Sequence, residues 1–168
     1  PRIHQGSRYH AAWSASFVAL SLALHGLARQ HPLRWRGAIS KLDPSIGGLL
    51  MNIAHWLARS ASAAPDSPAI LLGGTVMHSY AGFHRSALGL AGALIAQGTE
   101  PGDRIAIFAA NCPDYLIALY GIWAAGAVAV PINAKLHPQE AAFILADSGA
   151  RLGFVGADLL DGLADVSG

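Results

Sequence analysis

The chain has 168 residues, room for one domain of ordinary size and too little for two well-buried ones. Hydrophobic residues make up 53% of it and charged residues 12%, which excludes disorder driven by charge repulsion and requires most of the chain to be buried. Eleven basic against ten acidic residues give a formal charge of +1, leaving no basic footprint for a phosphate backbone and setting nucleic-acid binding aside.

The single cysteine, Cys112, has no partner for an internal disulfide, and no cysteine–histidine cluster has the spacing of a structural zinc site. A reducing, cytoplasmic setting is expected. The chain opens on Pro1 and closes on Asp165-Val166-Ser167-Gly168 without a helix stop or a closing strand, so we expect a fragment of a longer protein.

Charge divides the chain at Met51. Residues 1–50 carry six basic residues and one acidic, whereas residues 51–168 carry five basic and nine acidic. The first block contains Ala11 to Ala28, eighteen residues without a formal charge, flanked by Arg2, Arg8, Arg29, Arg34 and Arg36. Its length just reaches that of a membrane span. Ser14, Ser16, Ser21, His25 and Gly26 interrupt it, and basic residues at both ends give no orientation. Leu27-Ala28-Arg29 is a poor signal-peptidase site. Residues 1–50 are therefore expected to be an atypical leader, disordered or helical, or sequence upstream of a true start at Met51.

From Met51 the punctuation becomes regular. Asn52 is positioned to cap a short helix with Ile53, Trp56 and Leu57 on one face, and Pro65 and Pro68 end it. Ala69–Leu72 and Thr75–His78 are expected to pair around Gly73-Gly74, two residues that tolerate positive φ. Ser79 caps the next helix, whose apolar positions Phe83, Ala87, Leu90, Ala91, Leu94 and Ile95 recur at helical steps down to Gly98. The turn Glu100-Pro101-Gly102-Asp103 then leads into Ile105–Ala110, a continuous apolar run of the kind found in a strand covered on both faces, hence a central parallel strand.

Asn111 or Cys112 caps a helix with Pro113 in its first turn, with Tyr115, Leu116, Leu119, Ile122 and Trp123 on its inner face and Gly126 at its stop. Val128-Ala129-Val130 is read as a strand closed by Pro131. A helix from His137-Pro138-Gln139-Glu140, carrying Ala141, Ala142, Ile144 and Leu145, halts at Gly149 before the strand Leu152–Val155. Strand, helix, strand, helix, strand implies an α/β fold: an open, mostly parallel sheet with helices on both faces, preceded by a hairpin.

The usual chemical motifs are missing. Lys41 and Lys135, the only lysines, do not end a glycine-rich phosphate loop. Gly121 and Gly126 have the loop's glycine gap but are followed by Ala127-Val128, and a helix stop accounts for Gly126. The dinucleotide glycine fingerprint is absent from Ile107–Pro113. Cys112 at a helix start lacks a nearby histidine in sequence and reads as a capping or packing residue. His55, His78, His84 and His137 lie in different elements without helical metal spacing. Asp103, Asp114, Glu140 and Asp147 sit at turns or helix ends, and Tyr115, Leu119 and Trp123 read as core against a sheet before they read as an acyl pocket.

Three stretches carry a family resemblance: His78-Ser79-Tyr80-Ala81-Gly82-Phe83; Gly98 to Ile107 with Asn111-Cys112-Pro113-Asp114-Tyr115; and Trp123 to Asn133, continued by Leu136–Glu140 and Asp147–Ala150. In this order and spacing, residues 51–155 resemble the N-terminal portion of the AMP-binding, adenylate-forming enzymes, in the acyl-CoA synthetase (fatty-acid–CoA ligase) branch. Gly82 stands where that family's first motif has an acidic residue.

The resemblance implies an N-terminal part of the AMP-binding domain over residues 51–168, and a two-step ligase that makes an acyl-adenylate from ATP and then a coenzyme A thioester. It implies ATP, Mg²⁺ and coenzyme A for the full-length enzyme, with a carboxylic acid, by this branch a fatty acid, as substrate. The family's phosphate loop, nucleotide motifs and catalytic lysine lie downstream of Gly168. No catalytic, cofactor-binding or metal residue is therefore assigned, and this chain alone is expected to be inactive and to hold none of these groups. Two other readings stand beside it. One is a small membrane-anchored α/β protein, from Ala11–Ala28; the other is a small-molecule-binding module whose crevice lies at Asn111 and Pro131.

Overall fold

The structure, a computed structural model, describes residues 17–21 and 52–166. Its central sheet has the order β1-β6-β4-β5, built from β1 (Phe17–Ser21), β4 (Arg104–Ala109), β5 (Val128–Asn133) and β6 (Leu152–Gly156). β4 pairs parallel with both β5 and β6, from Ile105↔Ala129 and Ile105↔Leu152 onward. The expected α/β class and the central place of the Ile105 strand both hold.

The continuous apolar run of β4 has the anticipated cause. Ile105, Ile107 and Ala109 enter a core beneath α2 (Tyr80–Ala96) and α3 (Pro113–Ala124), with Leu90, Leu94, Ile122 and Phe154. Ala106 and Phe108 point the other way, into a core with Ile132, Ala141, Leu145, Val155 and Leu163 under α4 (Pro138–Ser148) and α5 (Leu160–Val166). Alternation along one strand thus feeds two cores, so neither side of β4 can be polar.

A third cluster joins α1 (Ala54–Ala63) to the hairpin of β2 (Pro68–Leu72) and β3 (Thr75–Ser79), through Leu57, Ile70, Phe83, Ala87 and Ile117. Gly73 and Gly74, both at positive φ, close the hairpin between Leu72 and Thr75 as the sequence predicts. Ser79 caps α2 by accepting a hydrogen bond from the Gly82 N–H at 3.2 Å. Asn52 Oδ1 accepts from the Ala54 N–H at 2.9 Å, and its Nδ2 donates to the Trp123 carbonyl, tying the start of α1 to the end of α3. At the start of α4 the His137 ring accepts from the Gln139 N–H, while the Glu140 carboxylate accepts from the His137 N–H.

Several expectations are corrected. β5 does not close at Pro131 but runs through it to Asn133. It lies at an edge of the described sheet, where a residue without an N–H is tolerated. On α3 the buried face is Ile117, Ala118, Gly121 and Ile122; Tyr115 and Leu119 are only partly covered, and Leu116 is exposed. Successive residues turn by about 100°, which places Leu116 opposite Ala118 and Ile122. The same rotation carries Ile95 away from Leu94 and into solvent. On α1 only Leu57 is buried, leaving Ile53 and Trp56 exposed.

The crevice-bearing end of β5 is accordingly at Asn133, beyond Pro131. A 3₁₀ turn (Ala157–Leu159) and α5 follow β6, an element the sequence reading did not anticipate. Within the presumed leader, Phe17–Ser21 form a strand antiparallel to β6, from Phe17↔Gly156 to Ser21↔Leu152, so these five residues are not helical. The rest of Ala11–Ala28 lies outside the described residues. Among the described residues, no helix is long and apolar enough to cross a membrane.

Gly126 ends α3 at φ +77°, where its N–H donates to the Trp123 carbonyl and the Ala127 N–H to that of Ile122. These are the two bonds of a Schellman closure. A Cβ here would meet Pro101 only at ordinary contact distance, 3.5 Å, so conformation rather than space selects glycine. Gly126→Val is expected to destabilise by more than about 1 kcal/mol in urea unfolding, because a β-branched residue strains at positive φ, and Gly126→Asn by less. A valine variant as stable as the parent would contradict this cause.

Candidate functional site

In an open parallel sheet the place for a ligand is the crevice beyond the strands' C-terminal ends, where successive connections leave to opposite faces. Here the chain leaves β4 toward the face covered by α3, and leaves β5 and β6 toward the face covered by α4 and α5. The rim beside β4 is therefore formed by three short segments, residues 110–112, 134–137 and 157–159.

Their chemistry is sparse. Asn111 is exposed and Cys112, a free thiol, is half-buried at the start of α3 with no side-chain capping bond. Asn133 folds the second segment upon itself: its Oδ1 accepts from the Lys135 N–H at 3.0 Å and its carbonyl from the Leu136 N–H. Lys135 and Asp158 reach solvent. A Cβ at Gly156 would lie 2.7 Å from Oδ1 of the exposed Asp158 side chain, which is free to move aside. Such a rim can hydrogen-bond a polar ligand and place one cation beside it, but it presents no nucleophile held by a base.

The other sequence candidates are dispersed. Asp103 Oδ2 accepts from the Glu100 N–H at 3.0 Å and pairs with Arg151 at 3.3 Å, which stabilises the turn before β4. Asp114 and Glu140 lie in first helical turns, where negative charge is favourable. His137 caps α4; His55, His78 and His84 lie on separate elements, of which α1 and α2 bring His55 and His84 to the lining of one hollow. Among the described residues, no three His, Cys, Asp or Glu side chains gather as a metal ion requires. Burial pushes the Tyr115 phenol above its ordinary pKa, as expected of a ring packed on the core.

Two hollows flank Asn52. One, of 140 Å³, is lined by His55, Leu57, His84, Leu88 and Tyr120; the other, of 260 Å³, by Ile53, Trp123, Gly126 and Ala127. Both are smaller than the roughly 300–1,000 Å³ of ordinary ligand pockets. Trp123 lines the second and meets Tyr120 edge-on at 5.2 Å, while Tyr115 and Leu119 pack on the core.

Gly121 escaped the sequence reading as anything but half of a loop-like glycine pair. A Cβ at this position would lie 2.6 Å from Leu90 Cδ2 and 2.9 Å from Leu90 Cβ, so the glycine lets α3 cross α2 at close range. The available signal was a glycine in mid-helix, which costs about 1 kcal/mol against alanine and therefore asks for a packing reason.

Comparison with known proteins gives this geometry a setting. The family model described as AMP-binding enzyme matches residues 57–167. A feruloyl-CoA synthase of an Amycolatopsis species is 42% identical over 99 residues, covering 59% of this chain and 20% of that protein. The long-chain-fatty-acid–CoA ligase FadD13 of Mycobacterium tuberculosis is 37% identical over 109 residues, covering 64% and 22% respectively. The crystal structure of the N-terminal domain of FACL13 from Mycobacterium tuberculosis superposes with a TM-score of 0.56 at 36% identity, over 60% of this chain and 26% of that one. The chain spans about a fifth of the length of the curated relatives it matches.

Proposed function

The chain belongs to the AMP-binding enzyme family, and from that premise we propose that it is the N-terminal part of an ATP-dependent carboxylic acid–CoA ligase, with residues 51–168 as the start of the AMP-binding domain and residues 1–50 as an atypical leader whose Phe17–Ser21 strand joins the domain's sheet. The observation that carries this reading is the family match over residues 57–167, which takes in the whole β4-α3-β5-α4-β6 unit. Two relatives that act on different acids, feruloyl and long-chain fatty acyl, support the class of carboxylic acid; a fatty acid is the narrower proposal.

The chemistry proposed is a carboxylate oxygen attacking the α-phosphorus of ATP as pyrophosphate leaves, followed by attack of the coenzyme A thiol on the acyl carbon as AMP leaves. Adenylation is needed because a carboxylate oxygen is otherwise a poor leaving group. Among the described residues no three metal-binding side chains gather for Mg²⁺, and the two hollows beside Asn52, 140 and 260 Å³, are too small for ATP. No step is assigned to them. Their part is to build a doubly covered sheet and to present the rim at Asn111, Asn133 and Asp158 to the segments that complete the enzyme. The free thiol of Cys112 supports a cytoplasmic location.

Carboxylate-dependent ATP–pyrophosphate exchange tests the reading. The 168-residue chain is expected to show none, and the enzyme continued past Gly168 to show exchange that depends on added acid. Exchange by the 168-residue chain alone, or none by the longer enzyme with any carboxylic acid, overturns it.

A further inference from the structure

β1 is joined to the sheet through one ladder. Its five residues pair antiparallel with β6, from Phe17↔Gly156 to Ser21↔Leu152, and among the described residues no other strand lies beside it. The family match, residues 57–167, takes in β6 and leaves β1 outside the matched unit. A five-residue strand on a single ladder is an element that opens at small free-energy cost. β6, by contrast, is anchored in both cores, through Phe154 on one face and Val155 on the other.

Once β1 lets go, β6 becomes the margin of a parallel sheet, with a row of N–H and C=O groups unpaired. Sheet margins are usually blunted by charge, yet Leu152-Gly153-Phe154-Val155-Gly156 carries none. This edge already accepts an antiparallel strand, and a two-fold axis between identical chains pairs a strand with itself antiparallel. In the register that uses all five residues, Phe154 faces its counterpart and Leu152 faces Gly156. The same register sets Arg151 of each copy opposite Ala157 of the other, next to Asp158. Arg151 and Asp158 are both exposed and opposite in charge, so the two ends of the pairing are electrostatically complementary.

We propose that β1 is a removable clasp on the β6 edge, and that the occupant it holds off is a second copy of this chain, paired through β6 about a two-fold axis. The leader thereby keeps the 168-residue chain monomeric.

Hydrogen exchange of the 168-residue chain gives the first test. The β1 amides that face β6 are expected to exchange at least about tenfold more slowly than unpaired chain, and faster than those of β4. Exchange as free as that of unpaired chain overturns the clasp. The clasp is then opened with Val18→Pro and Ala19→Pro together, which removes a ladder N–H whichever of the two residues points it at β6. In sedimentation this variant is expected to dimerise at concentrations at least about tenfold lower than the parent, and a synthetic peptide of residues 16–22 to return it to monomer. Arg151→Glu should weaken that dimer, and Arg151→Glu with Asp158→Arg should restore it. A folded variant that stays as monomeric as the parent overturns the proposal, as does a dimer that neither the peptide nor the charge changes move. Loss of protection at the β4 amides in the variant also overturns it, because a removable clasp cannot be required for the fold.

Discussion

Phe108→Ala is expected to lower the unfolding free energy by about 3–5 kcal/mol, a large share of the roughly 5–15 kcal/mol that holds a small domain folded. Phe108 is 1% exposed and sits in the central strand, flanked by β5 and β6. Its ring belongs to the core formed by Ile132, Ala141, Leu145, Val155 and Leu163, drawn from β5, α4, β6 and α5. Truncation leaves a hole among side chains from all four of these elements. Phe108→Leu keeps most of the volume and should cost far less. Urea unfolding followed by circular dichroism measures both; an alanine variant within about 1 kcal/mol of the parent means the second core is not packed as described.

The second large effect turns on a single methyl group. Gly121→Ala should destabilise by about 1–3 kcal/mol although alanine is the better helix former, because the new Cβ would lie 2.6–2.9 Å from Leu90 atoms that include Leu90 Cβ. Leu90 is 7% exposed and cannot swing aside into solvent. The internal control is the identical change at Gly89 and Gly92 on α2, where nothing lies within 4 Å: there alanine should stabilise by about 0.5–1 kcal/mol. Opposite signs for one chemical change isolate the helix crossing from helix propensity. Leu90→Ala in the Gly121→Ala background should recover part of the loss, a coupling of about 0.5–3 kcal/mol in a double-mutant cycle. If Gly121→Ala stabilises as Gly89→Ala does, α2 and α3 do not approach as described.

Local signals carried the fold far because the connections are short and each is marked by a residue with one conformational use. Gly73-Gly74, Ser79 and Gly126 act within a few residues of themselves, so a hairpin, a helix start and a helix stop could be read from them directly. The apolar run Ile105–Ala109 likewise admits one explanation, a strand with cover on both faces. The family resemblance was legible for a related reason: its motifs are those same turns and caps, spaced by helices of set length.

What periodicity left open depends on partners distant in the chain. A helix with apolar residues nearly all round, such as α3, states no preferred face, and it was the sheet below and α2 beside it that selected Ile117, Ala118, Gly121 and Ile122 over Leu116. Pro131 looked like a terminator until β5 proved to lie at a sheet edge, where its missing N–H does no harm. The pairing of Phe17–Ser21 with β6 had no local mark at all. Patterning along a chain reports how often a side chain must be hidden, whereas the neighbour that hides it is chosen by packing across dozens of intervening residues.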